Sequence, residues 1–307
     1  MPLIVAEDLA KSYGGVIAVN GLNLTVDKDS VTGLIGPNGA GKTTTIKMIL
    51  GLLRPDRGHV EVFGQDPWDN TVIRSLIGVV YEKAFFPSHQ KTLDYLKRVC
   101  RVFGVPESRA QEVLELGNLQ EASDRQIKAL SAGMLQKLAI AHALVHKPKL
   151  VVADEMTANL DPQARSALLD LVLQLNKDEE VTFLLSSHIL PELSRVCDSV
   201  AIINQGRVWA SGKLTELYEK YAVGAVRIST DNPEALASEI KKLNYMEKLE
   251  TDPRGISVRV IEGKEEKLYE DAPKVARKIK AKILGIETGS ASLEELYRLA
   301  VGAKERK

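Results

Sequence analysis

A phosphate-binding loop is the strongest chemical pattern in the sequence. The pattern G-x-x-x-x-G-K-[S/T] is matched, with one further threonine, by Gly36, Pro37, Asn38, Gly39, Ala40, Gly41, Lys42, Thr43 and Thr44. Glycines let the backbone curl so that several N–H groups face phosphate oxygens, and Lys42 adds a positive charge near the β- and γ-phosphates. Thr43 offers a hydroxyl to magnesium, and the following helix directs its positive end toward the anion. The loop predicts a site for nucleotide phosphates.

A pair of carboxylates could supply the second part of such a site. A phosphate-loop protein needs a carboxylate at the end of a neighbouring strand to hold the water shell of magnesium. The apolar run 150–153 is followed directly by Asp154 and Glu155. We expect Asp154 to lie on the metal side and Glu155 to polarise the attacking water as general base. An apolar run that ends in Asp-Glu is a common strand end, so this prediction depends on the phosphate loop.

The elements that position these residues alternate between strand and helix. A strand is predicted over Val31–Ile35, directly before the loop, and a helix over Thr43–Leu53, after it. The apolar runs Leu150–Ala153 and Val181–Leu185 suit central strands buried on both faces, and a helix over Pro162–Asn176 separates them. This alternation predicts an α/β domain with a parallel core sheet.

Two further regions differ from this alternating pattern of strand and helix. Leu3–Asp27 alternates apolar and polar residues in short runs, which predicts antiparallel strands that turn at Gly14 and Gly15. The region from Thr92 to His146 has a mostly helical pattern.

A short segment before the Asp-Glu strand resembles the signature motif of ATP-binding cassette (ABC) proteins. Its residues are Leu130, Ser131, Ala132, Gly133 and Met134. In that family the motif opens a helix and presents its serine hydroxyl and backbone amides to the γ-phosphate bound by the opposite subunit. The resemblance therefore implies that the segment contacts the nucleotide of a facing subunit. Taken alone, a Ser-Ala-Gly helix start is an ordinary N-cap, and only the order of the motifs favours the functional interpretation.

Three further features occur in the order that this family shows. Tyr13 is where the family stacks an aromatic ring on adenine, and Asp161 is where its D-loop runs along the dimer seam. Asp161 also makes a good helix N-cap, so both roles can hold. His188 is where the family's switch histidine contacts the γ-phosphate. The resemblance covers roughly residues 3–221 and implies an ATPase that uses ATP and Mg²⁺.

The sequence departs from the family's usual motifs at three positions. Glu82 stands where glutamine is usual, which keeps an oxygen for magnesium but adds a negative charge beside three phosphates. Ala132 replaces a glycine of the signature, and Met156 replaces the proline that commonly follows the catalytic glutamate. None of these changes removes the lysine, the metal carboxylate or the base. We therefore expect hydrolysis to survive, with Lys42 and Glu155 as catalytic residues beside the switch histidine, and with Thr43, Glu82 and Asp154 as the magnesium ligands.

The resemblance divides the chain into two domains. Residues 1–221 are expected to form the cassette, a P-loop NTPase with a parallel core sheet, an antiparallel β subdomain and a helical subdomain. Residues 222–307 have the order strand, helix, two strands, helix from about Ala272, and strand, which is the βαββαβ order of a ferredoxin-like α+β domain. A last helix is predicted at Ser292, with a capping box to Glu295. This region resembles the small accessory domain of exporter-type ATPases.

Composition excludes several classes of protein. Apolar residues make up 44% and charged residues 27% of the chain, which is typical of a folded globular protein. The net charge of zero gives no global bias toward nucleic acid, so no nucleic-acid partner is expected. The only two cysteines, Cys100 and Cys197, make a disulfide framework improbable and suit a reduced cytosolic setting. We find neither a signal-peptide pattern nor an apolar run near the ~20 residues that a spanning helix needs.

Together these features predict the ATP-hydrolysing subunit of an ABC transporter. The resemblance implies a homodimer or heterodimer of such subunits, peripheral on the cytoplasmic side of the membrane and coupled to separate transmembrane permease subunits. Glu82 and the C-terminal region favour an exporter. The chief alternative is a soluble ABC-type ATPase that acts on ribosomes or DNA, although the chain has neither a second cassette nor a coiled-coil arm. A P-loop kinase is a weaker alternative, because it has no use for the Ser131 segment or His188.

Overall fold

The structure is a computed structural model that describes residues 2–222, 225–261, 263–288 and 293–302. The chain forms two compact units, Met1–Leu214 and Thr215–Lys307. The strands of the first unit are β1 (Pro2–Tyr13), β2 (Val16–Asp27), β3 (Val31–Ile35), β4 (Arg57–Val62), β5 (Ile77–Val80), β6 (Leu150–Asp154), β7 (Thr182–Ser187), β8 (Ser199–Asn204) and β9 (Arg207–Lys213). Its helices are α1 (Lys42–Ile49), α2 (Thr71–Arg74), α3 (Thr92–Phe103), α4 (Ser108–Leu116), α5 (Ala132–Leu144), α6 (Pro162–Glu179) and α7 (Leu190–Val196).

The predicted parallel core sheet is confirmed. Its strand order is β5-β6-β7-β3-β8-β9, and every pair is parallel except β8 with β9. All residues of β3, β6 and β7 are buried, as expected for apolar strands covered on both faces. The register pairs Ile35 with Ser187 and Asp154 with Ser186, so the carboxyl ends of these three strands meet at one edge of the sheet. The residues that follow them therefore share one site.

The predicted antiparallel strands are also confirmed. β1 pairs with β2 and β4 in a three-stranded sheet of order β2-β1-β4, and the turn between β1 and β2 is formed by Gly14 and Gly15. The helix expected over Thr43–Leu53 ends earlier, at Ile49. The reason is Gly51, whose φ of +64° lies outside the right-handed helical region. Only glycine fits there, because an added Cβ would lie 2.2 Å from the carbonyl oxygen of Pro67.

The second unit contains a four-stranded antiparallel sheet. After α8 (Leu214–Ala222), which begins at the end of the first unit, its elements are β10 (Ala225–Thr230), α9 (Pro233–Ile240), β11 (Met246–Asp252), β12 (Gly255–Val260), α10 (Glu265–Lys278), β13 (Ile283–Thr288) and α11 (Leu293–Gly302). The strand order is β11-β12-β10-β13. From β10 to β13 the element order is the predicted βαββαβ. The boundary between residues 221 and 222 stays a prediction.

One helix of the second unit begins earlier than the sequence indicated. The helix expected from about Ala272 starts at Glu265, with Glu265 and Glu266 in its first turn and Pro273 inside it. Acidic residues at a helix start interact favourably with its dipole, and this signal outweighs the interior proline. Ser292 of the predicted capping box lies outside the described residues. None of the helices in the described parts of the chain combines the length and the apolar character needed to cross a membrane.

Candidate nucleotide site

The phosphate loop joins the end of β3 to the start of α1. Two of its glycines are required by close backbone contacts. A Cβ on Gly36 would lie 2.2 Å from the carbonyl oxygen of Ile203, and one on Gly41 would lie 2.4 Å from that of Ala18. Gly41 also has a φ of +104° and is the N-cap of α1, where no side chain caps the helix. The first N–H groups of α1 therefore remain available to an anion.

Lys42 bends back over the loop. Its Nζ donates to the carbonyl oxygens of Gly36 at 2.7 Å and Pro37 at 3.2 Å. The same Nζ lies 2.9 Å from Oε1 of Glu155, and the lysine side chain is only 5% exposed. The Nζ–Oε1 contact is close but lacks hydrogen-bond alignment, so it is an ion pair. The ammonium group therefore sits between the loop carbonyls and the carboxylate.

A hydroxyl and a carboxylate form the second part of the site. Oγ1 of Thr43 donates to Oδ2 of Asp154 at 2.9 Å, and Oγ of Ser186 donates to Oδ1 of the same aspartate at 2.6 Å. Asp154 is buried at the end of β6. The Asp154 carboxylate and the Thr43 hydroxyl form an all-oxygen donor set of the kind that Mg²⁺ accepts together with substrate phosphates. In the part of the chain that the structure describes, no cluster of three or more His, Cys, Asp or Glu side chains could bind a metal by itself.

Glu155 is held from three directions. Its Oε2 lies 2.8 Å from Nδ1 of His188, and its Oε1 forms the ion pair with Lys42. Its backbone N–H donates to Oγ of Ser186 at 3.0 Å. Its φ of +51° is uncommon for a residue with a Cβ, and such conformations cluster at functional sites. The contacts aim the Glu155 carboxylate into the space above the phosphate loop.

Other predicted residues lie apart from this cluster. Oγ of Ser131 caps α5 by accepting from the N–H of Met134 at 3.3 Å, with Ala132 and Gly133 in the first turn. Asp161 caps α6 by accepting from the N–H groups of Gln163 and Ala164 at 3.0 and 2.9 Å, which confirms its helix-capping role. Tyr13, at the end of β1, is 47% exposed. Within the described residues, no hydrogen bond or ion pair joins these side chains to the phosphate loop.

Glu82 is the one predicted magnesium ligand that is not joined to the others. Its side chain is exposed, and among the described residues no hydrogen bond or ion pair links its carboxylate to Thr43 or Asp154. Its backbone carbonyl instead accepts from Nε2 of Gln136 at 2.9 Å. The assignment of Glu82 to the metal stays a prediction.

Sequence reasoning missed two residues that organise the site. Ser186 connects Asp154 with the backbone of Glu155, and Gln136 connects α5 with the Glu82 segment. Ser186 could have been identified from the sequence, because Ser186 and Ser187 follow the apolar residues of a strand that is buried throughout. A buried hydroxyl at such a place needs a partner, and a neighbouring strand end is the nearest source. Gln136 carried no comparable signal, because polar residues are ordinary in helices.

Known proteins resemble this chain in sequence and in structure. Residues 19–158 match the ABC transporter family. The chain is 32% identical over 303 residues to the linearmycin resistance ATP-binding protein LnrL of Bacillus subtilis (strain 168), covering 96% of this chain and 97% of that protein. It is 38% identical over 208 residues to the bacitracin transport ATP-binding protein BcrA of Bacillus licheniformis, covering 67% and 68%. It is 34% identical over 266 residues to the daunorubicin/doxorubicin resistance ATP-binding protein DrrA of Streptomyces peucetius, covering 84% and 80%.

Solved structures agree with these relatives. An ATP-binding cassette of an ABC transporter in its ADP conformation superposes with a TM-score of 0.64 at 26% identity, covering 69% of this chain and 91% of that one. The ATP-binding subunit of another ABC transporter gives 0.63 at 31% identity, covering 71% and 93%. The fold, the phosphate loop and the carboxylate cluster accord with these matches, and the chain belongs to the ABC transporter family as an ATP-binding subunit, the ATPase that powers transport.

Proposed function

We propose that this subunit works in an exporter, as one of two ATPase subunits that close around ATP beneath transmembrane permease subunits. The observation that carries the proposal is the cluster in which Lys42, His188 and the Asp154–Glu155 pair converge at one edge of the sheet. Export is supported by relatives named for linearmycin resistance, for daunorubicin/doxorubicin resistance and for Nod factor export. A membrane partner places the subunit on the cytoplasmic side, where ATP is supplied.

The phosphate loop is proposed to bind ATP through its backbone and Lys42. The uncapped N–H groups at the start of α1 and the Lys42 ammonium provide positive charge for the β- and γ-phosphates. Tyr13 is proposed to stack on adenine, and its exposed ring is free to do so. Thr43 and Asp154 would hold Mg²⁺, with Glu82 as a further proposed ligand, and the ion would neutralise charge on the phosphate oxygens.

Glu155 is proposed as the general base for the attacking water. Its carboxylate is oriented by His188 and by the ion pair with Lys42. An ATP phosphate competes with Glu155 for the Lys42 ammonium, and this competition frees Oε1 of Glu155 to contact the attacking water. His188 remains hydrogen-bonded to Glu155 and, being 44% exposed, can also reach a γ-phosphate.

The facing subunit is proposed to complete the site. The N-terminus of α5, with Ser131 and the amides of Ala132, Gly133 and Met134, offers the same anion-binding geometry as the phosphate loop. Ser131 caps its own helix by accepting from the N–H of Met134, and its hydroxyl proton can still be donated to a phosphate oxygen. Asp161 lies at the seam in this arrangement. The γ-phosphate thus stabilises the closed dimer, and hydrolysis removes that contact. The facing subunit is a second copy of this chain or a close homologue.

The proposal is tested by two variants measured together. Glu155→Gln keeps the shape of the side chain but removes the base, so we expect turnover to fall by roughly 10²-fold or more while ATP binding is kept. Lys42→Ala is the matched comparison, in which ATP binding itself should weaken. Turnover is measured by phosphate release and binding by equilibrium titration with ATP. Near wild-type turnover in Glu155→Gln, or unaltered nucleotide affinity in Lys42→Ala, would contradict the assignments.

The transporter assignment is tested separately in the native membrane. The tagged subunit, solubilised in mild detergent, should copurify with a polytopic protein. Copurification with ribosomal or DNA-repair proteins alone would refute the coupling to a permease and leave the ATPase chemistry untouched.

A further inference from the structure

A buried ion pair joins the two helices that follow the Asp161 segment and the His188 segment. Nη1 of Arg165, in the first turn of α6, lies 2.8 Å from Oε1 of Glu192, in the first turn of α7. The arginine side chain is 26% exposed and the glutamate only 9%. Among the described residues no hydrogen bond reaches either carboxylate oxygen of Glu192, so Arg165 is the partner that compensates its charge.

Arg165 makes a second contact, to the backbone just before Asp161. Its Nη2 donates to the carbonyl oxygen of Leu160 at 3.0 Å, and its own N–H donates to the carbonyl of Asp161 at 3.0 Å. Leu160 is buried, so this carbonyl needs a partner inside the protein. Glu192 follows His188 by four positions. One guanidinium therefore contacts both the Asp161 segment and the helix that follows the switch histidine.

We propose that Arg165 and Glu192 are a positioning pair for ATP hydrolysis. The pair fixes the Asp161 segment, which faces the partner subunit, relative to His188, which contacts the γ-phosphate. These two parts of the subunit therefore move together. This inference rests on the proposed roles of Asp161 and His188. Among the described residues neither Arg165 nor Glu192 has a hydrogen bond or ion pair to the phosphate loop, and both act through the segments they hold. A planar guanidinium can serve two acceptors at once, whereas an ammonium on a flexible stem is less well organised for this.

The structure offers a matched control on the same two helices. Arg195 of α7 contacts Asp170 of α6 and donates to Oγ of Ser166 at 2.6 Å. Both charged side chains of this pair are about half exposed, Arg195 at 46% and Asp170 at 55%. Asp170 lies five residues further along α6 than Arg165, and Arg195 lies in the last turn of α7. The charged pair of the control therefore joins the same helices but lies farther along each helix from the Asp161 and His188 segments than Arg165 and Glu192 do.

The test is a double-mutant cycle on ATP hydrolysis in the full chain. Glu192→Gln, Arg165→Gln and the double variant are compared with Asp170→Asn and Arg195→Gln, each with its thermal unfolding temperature. We expect kcat to fall roughly tenfold in each single variant of the positioning pair, with KM for ATP changed less than about twofold, because the phosphate loop is untouched. The double variant should lose much less than the product of the two single losses. Both control variants should keep kcat within about twofold.

Three results would overturn the proposal. They are an unchanged kcat in the single variants, losses that multiply in the double variant, and equal losses in the control variants. Because Glu192→Gln could lower kcat through folding alone, Arg165→Lys provides a second measurement. It keeps the charge near Glu192 and should keep the unfolding temperature, yet it should lower kcat because it weakens the Leu160 contact. A wild-type kcat in Arg165→Lys would also overturn the proposal.

The failure of this proposal is distinguishable from the failure of the proposed function. If the wild-type chain hydrolyses ATP and Glu155→Gln abolishes turnover, a null result in the cycle refutes only the positioning pair. If Glu155→Gln leaves turnover intact, the assignment of the base fails, and with it the basis for the pair.

Discussion

Removing the hydroxyl of Ser186 should weaken both the fold and the chemistry of the site. The hydroxyl is buried, donates to Oδ1 of Asp154 at 2.6 Å and accepts from the N–H of Glu155 at 3.0 Å. That N–H also lies 3.2 Å from the carbonyl oxygen of Ser186, so it keeps a partner in Ser186→Ala. The main loss is therefore the hydrogen bond to a carboxylate, which contributes roughly 1.5–3 kcal/mol. For a unit of this size we expect the unfolding temperature to fall by roughly 3–12 °C.

The same substitution should reduce activity through Asp154 and Glu155. Loss of a group that orients a metal carboxylate commonly costs about 10–100-fold in metal affinity or activity. We expect Ser186→Ala to need more Mg²⁺ for half-maximal ATP hydrolysis and to have a lower kcat, measured by phosphate release over a Mg²⁺ titration. Ser187→Ala is the control, since among the described residues that buried hydroxyl has one hydrogen bond, accepted from the N–H of Ile189 at 3.0 Å. If both serine variants lose the same stability and keep the wild-type Mg²⁺ requirement, the role assigned to Ser186 is refuted.

Two further predictions test the loop and the helical region. Gly36→Ala should abolish ATP binding in equilibrium titration, because its Cβ would lie 2.2 Å from the Ile203 carbonyl oxygen and displace the loop. Gly39→Ala is the control. Its Cβ would meet no atom within 4 Å, so this variant should retain measurable affinity for ATP despite a φ of +80°. Burial lowers the pKa of His142, and the nearby His146 lowers it further. Burial also lowers the pKa of His146, although its hydrogen bond with the Ile77 carbonyl has the opposite effect. The histidines of the unfolded chain therefore take up protons before those of the folded chain as pH falls below about 6.5. Their contribution to the free energy of unfolding should be fully present above that pH and decline below it. Urea unfolding at pH 8 and pH 5.5 measures this difference. A variant with both histidines replaced by glutamine should lose part of this pH dependence, and an unchanged slope would contradict the reasoning.

The sequence predicts the site best where local rules decide the structure. The phosphate loop follows from its glycines and its lysine, and the parallel sheet follows from wholly apolar runs such as Leu150–Ala153. Helix limits were less predictable. Gly51 ends α1 because Pro67 approaches it closely, and that contact depends on residues distant in the chain. The prediction placed the start of α10 at about Ala272, whereas Glu265 and Glu266 lie in its first turn.

Contacts between distant segments could not be predicted from spacing. Arg165 and Glu192 are separated along the chain by the rest of α6 and by β7, and each residue alone has the pattern of an ordinary charged helix position. Ser186 is similar, since its partners Asp154 and Glu155 belong to another strand end. The pairing register of β6 with β7 places Asp154 beside Ser186, and a register is set by which face of each strand is buried.

The end of β7 connects all parts of the proposed ATP chemistry. Ser186 contacts Asp154 and the backbone of Glu155, the carbonyl of Ser187 accepts from the N–H of Gly36 at 3.4 Å, and His188 contacts the Glu155 carboxylate. Consecutive residues thus reach the metal carboxylate, the phosphate loop and the general base. Because α7 starts two residues after His188, a shift of His188 must move that helix or change its ion pair with α6. A rigid ion pair at that place transmits the shift to the Asp161 segment, and this is why we expect its loss to lower kcat and leave KM nearly unchanged.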